Sequence, residues 1–75
     1  MKQRIEKIGK DALTQLGIPG IFIADSNPGV SDTHSGSIRF SQQGKNPLDI
    51  KLDLKASDED LEAYMVGELL TWVAE

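Results

Sequence analysis

Leu48-Asp49-Ile50-Lys51-Leu52-Asp53-Leu54-Lys55-Ala56 alternates apolar and charged residues without a break. Successive side chains of a β-strand point to opposite faces, so this stretch has one apolar face and one charged face. A helix would scatter the same residues around its circumference, and the period of two therefore identifies a strand. One face needs a cover and the other faces water. The flanking sequence reads as the supply of that cover.

Ser57, just after the strand, is a strong helix N-cap, and Asp58, Glu59 and Asp60 stand against the positive end of the helix dipole that follows. The helix runs from Asp58 to Ala74. At 100° per residue its apolar positions, Leu61 to Ala74, spread over about 220°, far more than the ~100° stripe that packing on one sheet requires. Either this helix is sandwiched inside the domain, or part of it meets a partner. Upstream of the strand, Gln43-Gly44-Lys45-Asn46 reads as a hairpin turn and Pro47 opens the strand, where a missing donor is tolerated. Ser37 to Gln42 alternates once more, with Ile38 and Phe40 on one side and Arg39 on the other.

Residues 2–16 form an amphipathic helix in which Ile5, Ile8, Gly9, Ala12, Leu13 and Leu16 share an arc of about 140°. Gly9 lies on that apolar side, where it permits close approach to a sheet. Gly17 stands where a helix terminus favours glycine, and Pro19 prevents continuation. Ile21-Phe22-Ile23-Ala24 reads as a short strand that is buried on both faces or meets something with its second face. Asp25 to Gly36 consists almost wholly of turn formers and is expected to be one long loop, mobile or a binding element. The expected fold is α+β in the order αβββα, one small domain spanning 1–75: a three-stranded antiparallel meander with both helices on its apolar face.

Composition bounds the chemistry. The 75 residues contain no cysteine and one histidine, so neither a disulfide nor a Cys/His zinc site is available. With no signal-like segment, a cytoplasmic setting is expected. No apolar run approaches the ~20 residues needed to span a membrane. The net charge of −4 is unevenly laid out: residues 1–11 carry +2, and residues 58–75 carry −6 with no base. An acidic end argues against nucleic acid or anionic membrane there, and suits a basic protein partner.

Individual motifs are weak. His34 has Asp32, Ser35 and Ser37 as neighbours, but a nucleophile–base–orienter set needs fixed geometry, and a solvated loop histidine accounts for it. Asp25-Ser26-Asn27-Pro28-Gly29 echoes the start of a calcium loop, yet Val30 and Gly36 occupy the places that need glycine and glutamate. No phosphate-cradling glycine motif is present, and no cofactor or small-molecule substrate is indicated. Asp49, Lys51, Asp53 and Lys55, with Arg39 alongside, make a charge ladder of the kind that simply faces solvent. Lys2, Arg4, Lys7 and Lys10 spread around the polar side of the first helix, interrupted by Glu6 and Asp11.

The element order and length resemble the double-stranded-RNA-binding domain, and the order is shared by the small ribonucleases of toxin–antitoxin pairs. The RNA-binding family carries Gly-Pro-x-His before its second strand and lysines at the start of its last helix. Here His34 is near that place, Phe40 follows at a different spacing, and the last helix opens with Asp58, Glu59 and Asp60. The likeness is one of topology and carries over no functional residue.

The function expected from the residues is a small non-enzymatic module that binds a protein partner or a second copy of itself, such as a phage-like accessory or inhibitor protein. Its contact surface would be Val66, Leu70 and Val73, with Trp72 as a further anchor, and with Asp58, Glu59 and Glu62 setting the partner's charge. One alternative is a nucleic-acid-binding domain using the first helix and the 26–36 loop. Another is a small ribonuclease-like enzyme dependent on His34.

Overall fold

A computed structural model describes residues 2–29 and 34–75. Its elements are α1 (Lys2–Leu16), β1 (Ile21–Asn27), β2 (Ser35–Gln42), β3 (Leu48–Asp53) and α2 (Asp58–Ala74). The strands form an antiparallel sheet in the order β1-β2-β3, giving an αβββα fold of the α+β class.

The alternating strand defines the layers. Ile50 and Leu52 of β3 are buried with Ile38 and Phe40 of β2, and onto this face pack Ile5, Ile8 and Ala12 of α1 and Leu61, Met65, Leu69 and Trp72 of α2. Gly9 brings α1 down onto the sheet: a Cβ there would lie 2.6 Å from Ile38 Cδ1 and 2.9 Å from Ile23 Cδ1. The Gly17 N–H closes the helix on Leu13 O at 3.0 Å, with a φ of +71° that favours glycine. On the opposite face Arg39 pairs with Asp49, its Nε 2.7 Å from Oδ1 and its Nη2 3.2 Å from Oδ2. That contact holds the Asp49 carboxyl below, and the Arg39 guanidinium above, its ordinary range.

Two boundaries differ from the sequence reading. Asp25, Ser26 and Asn27 belong to β1, and Ser35 and Gly36 belong to β2, so the expected 25–36 loop is largely a hairpin; residues 30–33 lie outside the described ones. Pairing overrides turn propensity here, because Asp25, Ser26 and Asn27 face Arg39, Ile38 and Ser37 across the ladder. Ser26 is buried and donates from Oγ to Glu6 Oε1 at 3.1 Å. At the other boundary, β3 ends at Asp53 rather than Ala56. The Asp53 carboxylate accepts the Lys55 N–H at 3.0 Å and its carbonyl accepts the Ala56 N–H at 3.0 Å, which turns the chain while Leu54 stays in the core.

Arg4 ties the two ends of the domain together. Its Nε donates to Asp58 Oδ1 at 2.7 Å, its Nη1 to Leu54 O at 3.0 Å and its Nη2 to Ala56 O at 2.9 Å. A planar fork can serve three acceptors at once, whereas an ammonium cannot reproduce that geometry. Arg4→Lys should therefore cost about 1–2 kcal/mol of stability in urea denaturation. An unchanged midpoint would show that the clamp contributes nothing.

Candidate functional site

One apolar face with little intramolecular cover lies on α2. The helix starts at Ser57, whose Oγ accepts the Asp60 N–H at 3.1 Å, and this cap fixes which side turns inward. Leu61, Met65, Leu69 and Trp72 point into the core. On the far side Ala63, Gly67, Leu70 and Ala74 fall within about 60° of one another at 100° per residue. All four are exposed, and Leu70 retains 53% of its surface. A Cβ on Gly67 would meet nothing within 4 Å, so a partner backbone can approach closely there.

The expected interface residues do not share one environment. Leu70 is open. Val66 and Val73 are half-buried against the core, at the border between the packed and open sides. Trp72 does not belong to a surface. It is 6% exposed, and its Nε1 donates to Asn46 O at 3.0 Å. The helical period places Trp72 beside Leu61 rather than beside Leu70, and the polar partner that an indole needs lies in the β2–β3 turn.

The acidic first turn is also divided. Asp58 is exposed but bonded to Arg4, so its charge is matched within the chain. Glu59 and Asp60 are exposed, and Glu62 is half-buried. Asp11, at 2.9 Å from Lys7 Nζ, raises that lysine above its ordinary value, with smaller contributions from Asp58 and Glu62 across the seam between the helices. Tyr64, exposed on another side of α2, has its phenol raised by Glu68.

His34 is exposed, and its carbonyl accepts the Leu54 N–H. Asp32 lies outside the described residues. Ser35 and Ser37 are strand residues paired with Asp53 and Lys51. Of the bases on α1, Arg4 and Lys7 are engaged within the chain, while Lys2 and Lys10 are exposed. No helix among the described residues is long and apolar enough to cross a membrane.

One feature escaped the sequence reading. A groove of about 430 Å³ runs between α1 and the outer edge of β1, with Lys2, Glu6, Lys10 and Leu13 on one wall and residues 21–26 on the other. The signal for it was the run Ile21-Phe22-Ile23, apolar on both faces. In the structure it is an edge strand with Phe22 56% exposed, so of the two readings of this run, burial on both faces does not hold. Comparison with protein-family models, with curated proteins and with solved structures returned no match.

Proposed function

We propose that the chain is a small non-enzymatic module of the cytoplasm that binds another protein through the open side of α2. The observation that supports it is Leu70, a large apolar side chain left half in water among Ala63, Gly67 and Ala74 on a helix with no base. Helices packed on one sheet ordinarily turn charge outward, and α2 does so chiefly in its first turn. A second copy fits this surface poorly, because the −6 of residues 58–75 would be brought against itself. A partner with an apolar face and basic residues near Glu59 and Asp60 fits it.

Leu70→Glu tests the assignment. Leu70 is not part of the buried core, so the substitution should change stability by less than about 0.5 kcal/mol. Partner capture by wild-type chain, identified by mass spectrometry, should be lost with the variant. Equal capture by both chains would remove α2 as the docking face.

A further inference from the structure

Gly9 and Gly67 both lie inside helices, and they differ in what requires them. At Gly9 a Cβ would lie 2.6 Å from Ile38 Cδ1, so the packing of α1 on the sheet demands the residue. At Gly67 a Cβ would meet nothing within 4 Å, and the backbone φ is not positive. Glycine is the poorest helix former after proline, and nothing inside the domain accounts for it in the middle of α2. Its neighbours on the open side give it a use. Ala63, Gly67, Leu70 and Ala74 follow one another at intervals of four, three and four residues. That spacing, on a stripe only about 60° wide, is the pattern of a seam between two helices rather than of a helix laid on a sheet. Ala63, Val66, Gly67 and Leu70 wall one hole of such a seam, and Gly67 leaves its floor open. Small residues on this side call for large apolar ones opposite. Resting on the reading of α2 as the docking face, we propose that its occupant is a single amphipathic helix of a partner protein. That helix seats large apolar residues over Gly67 and sets lysine or arginine beside the first turn of α2.

The charge at the amino end of the seam is what favours a basic helix. Glu59 and Asp60 lie about 20° beyond either side of the stripe. Both are exposed, and among the described residues neither forms a salt bridge. The cations around α2 are engaged elsewhere: Arg4 on Asp58, Lys7 on Asp11, and Lys45 on the carbonyls of Trp72 and Glu75. Lys55, exposed in the turn before the helix, offsets at most one of the two carboxylates. A second copy meets this end unfavourably in either direction. A parallel mate sets Asp60 on Asp60, and an antiparallel one brings the first turn close to the mate's Glu75. Contact area cannot outweigh that repulsion. Ala63 to Ala74 spans only about 16 Å, and one leucine among small residues buries far less than the about 1,200 Å² of a stable interface. A basic helix turns the same repulsion into attraction.

Two capped helical peptides are the probes, both with leucines at the same four-three-four spacing, flanked by lysines in one and by glutamates in the other. Titrated into isotope-labelled chain and followed by amide NMR, the lysine peptide should shift residues 63–74. It should bind about fivefold more tightly than the glutamate peptide at low salt. Glu59→Gln combined with Asp60→Asn should remove that preference. Gly67→Gln separates docking from folding. A better helix former should raise the melting temperature by a few degrees, while its side chain fills the hole and weakens the lysine peptide about tenfold. Equal binding of the two peptides, undiminished binding by Gly67→Gln, or no shift at about 5 mM peptide would each overturn the proposal. A wild-type dimer in sedimentation that Gly67→Gln dissolves would assign the seam to a second copy, and would overturn it as well. Partner capture lost in Leu70→Glu but kept in Gly67→Gln would remove the helix as occupant and leave α2 as the docking face. Capture kept in both variants would remove the docking face itself.

Discussion

Phe40→Ala should leave the chain at or below the limit of folding at 25 °C. Phe40 is 0% exposed on the central strand, between Ile23 of β1 and Leu48 of β3. Truncating a buried phenylalanine costs about 3–5 kcal/mol, the sum of lost transfer free energy and an unfilled cavity. A domain of this size has about 4–11 kcal/mol in total, so the loss is comparable to the whole stability. Each kcal/mol corresponds to about 4–8 °C in a domain this small, which predicts a fall of tens of degrees in the melting temperature, or no cooperative transition. Phe40→Leu keeps most of the volume and should cost under about 1.5 kcal/mol. Circular dichroism melts of the two variants check this. A Phe40→Ala chain that melts within a few degrees of wild type would mean that the sheet and helices do not close over this residue.

The fold could be read from the chain because its decisive signals are local and mutually consistent. The alternation over Leu48–Leu54 fixes which face of β3 is inside, and Ile38 and Phe40 repeat it on β2. Ser57 and Gly17 mark helix ends by backbone chemistry that needs no tertiary context. Where propensity and pairing disagreed, pairing prevailed. Asp25-Ser26-Asn27 is turn-forming in isolation, but β2 offers it a ladder and Glu6 offers Ser26 a partner. Asp53 shows the reverse: its side chain turns the backbone, and the alternating pattern outlasts the strand by one buried residue, Leu54.

The surface was less legible, for a geometric reason. A helical wheel gives the angle of each residue but not which angles a neighbouring element covers. Val66 and Val73 sit about 40–60° from Leu70 on the wheel of α2, yet they are half-buried where Leu70 is open. Likewise Asp58 reads as free charge until Arg4, distant in sequence, is found against it. The groove along β1 depends on strand order, and periodicity alone does not determine whether an apolar strand is central or at an edge.

Trp72→Ala is the second change with a large expected effect, and it separates core from interface directly. The side chain fills the end of the core where α2 closes on the β2–β3 turn. Its Nε1 donates to Asn46 O, while Lys45 reaches over the ring at 5.5 Å to donate from Nζ to Trp72 O at 2.9 Å and Glu75 O at 3.0 Å. These contacts satisfy carbonyls at the helix C-terminus, and they place a cation at the negative end of the dipole. Removing the indole should cost about 3–5 kcal/mol, whereas Trp72→Phe, which keeps an aromatic ring and loses the donor, should cost about 1–2 kcal/mol. Amides of Lys45, Asn46 and the last turn of α2 should lose exchange protection first in Trp72→Phe, because the clasp joins those segments. If instead Trp72→Ala melts like wild type and only partner capture is lost, Trp72 is a docking residue and the C-terminal end of α2 does not close on the β2–β3 turn.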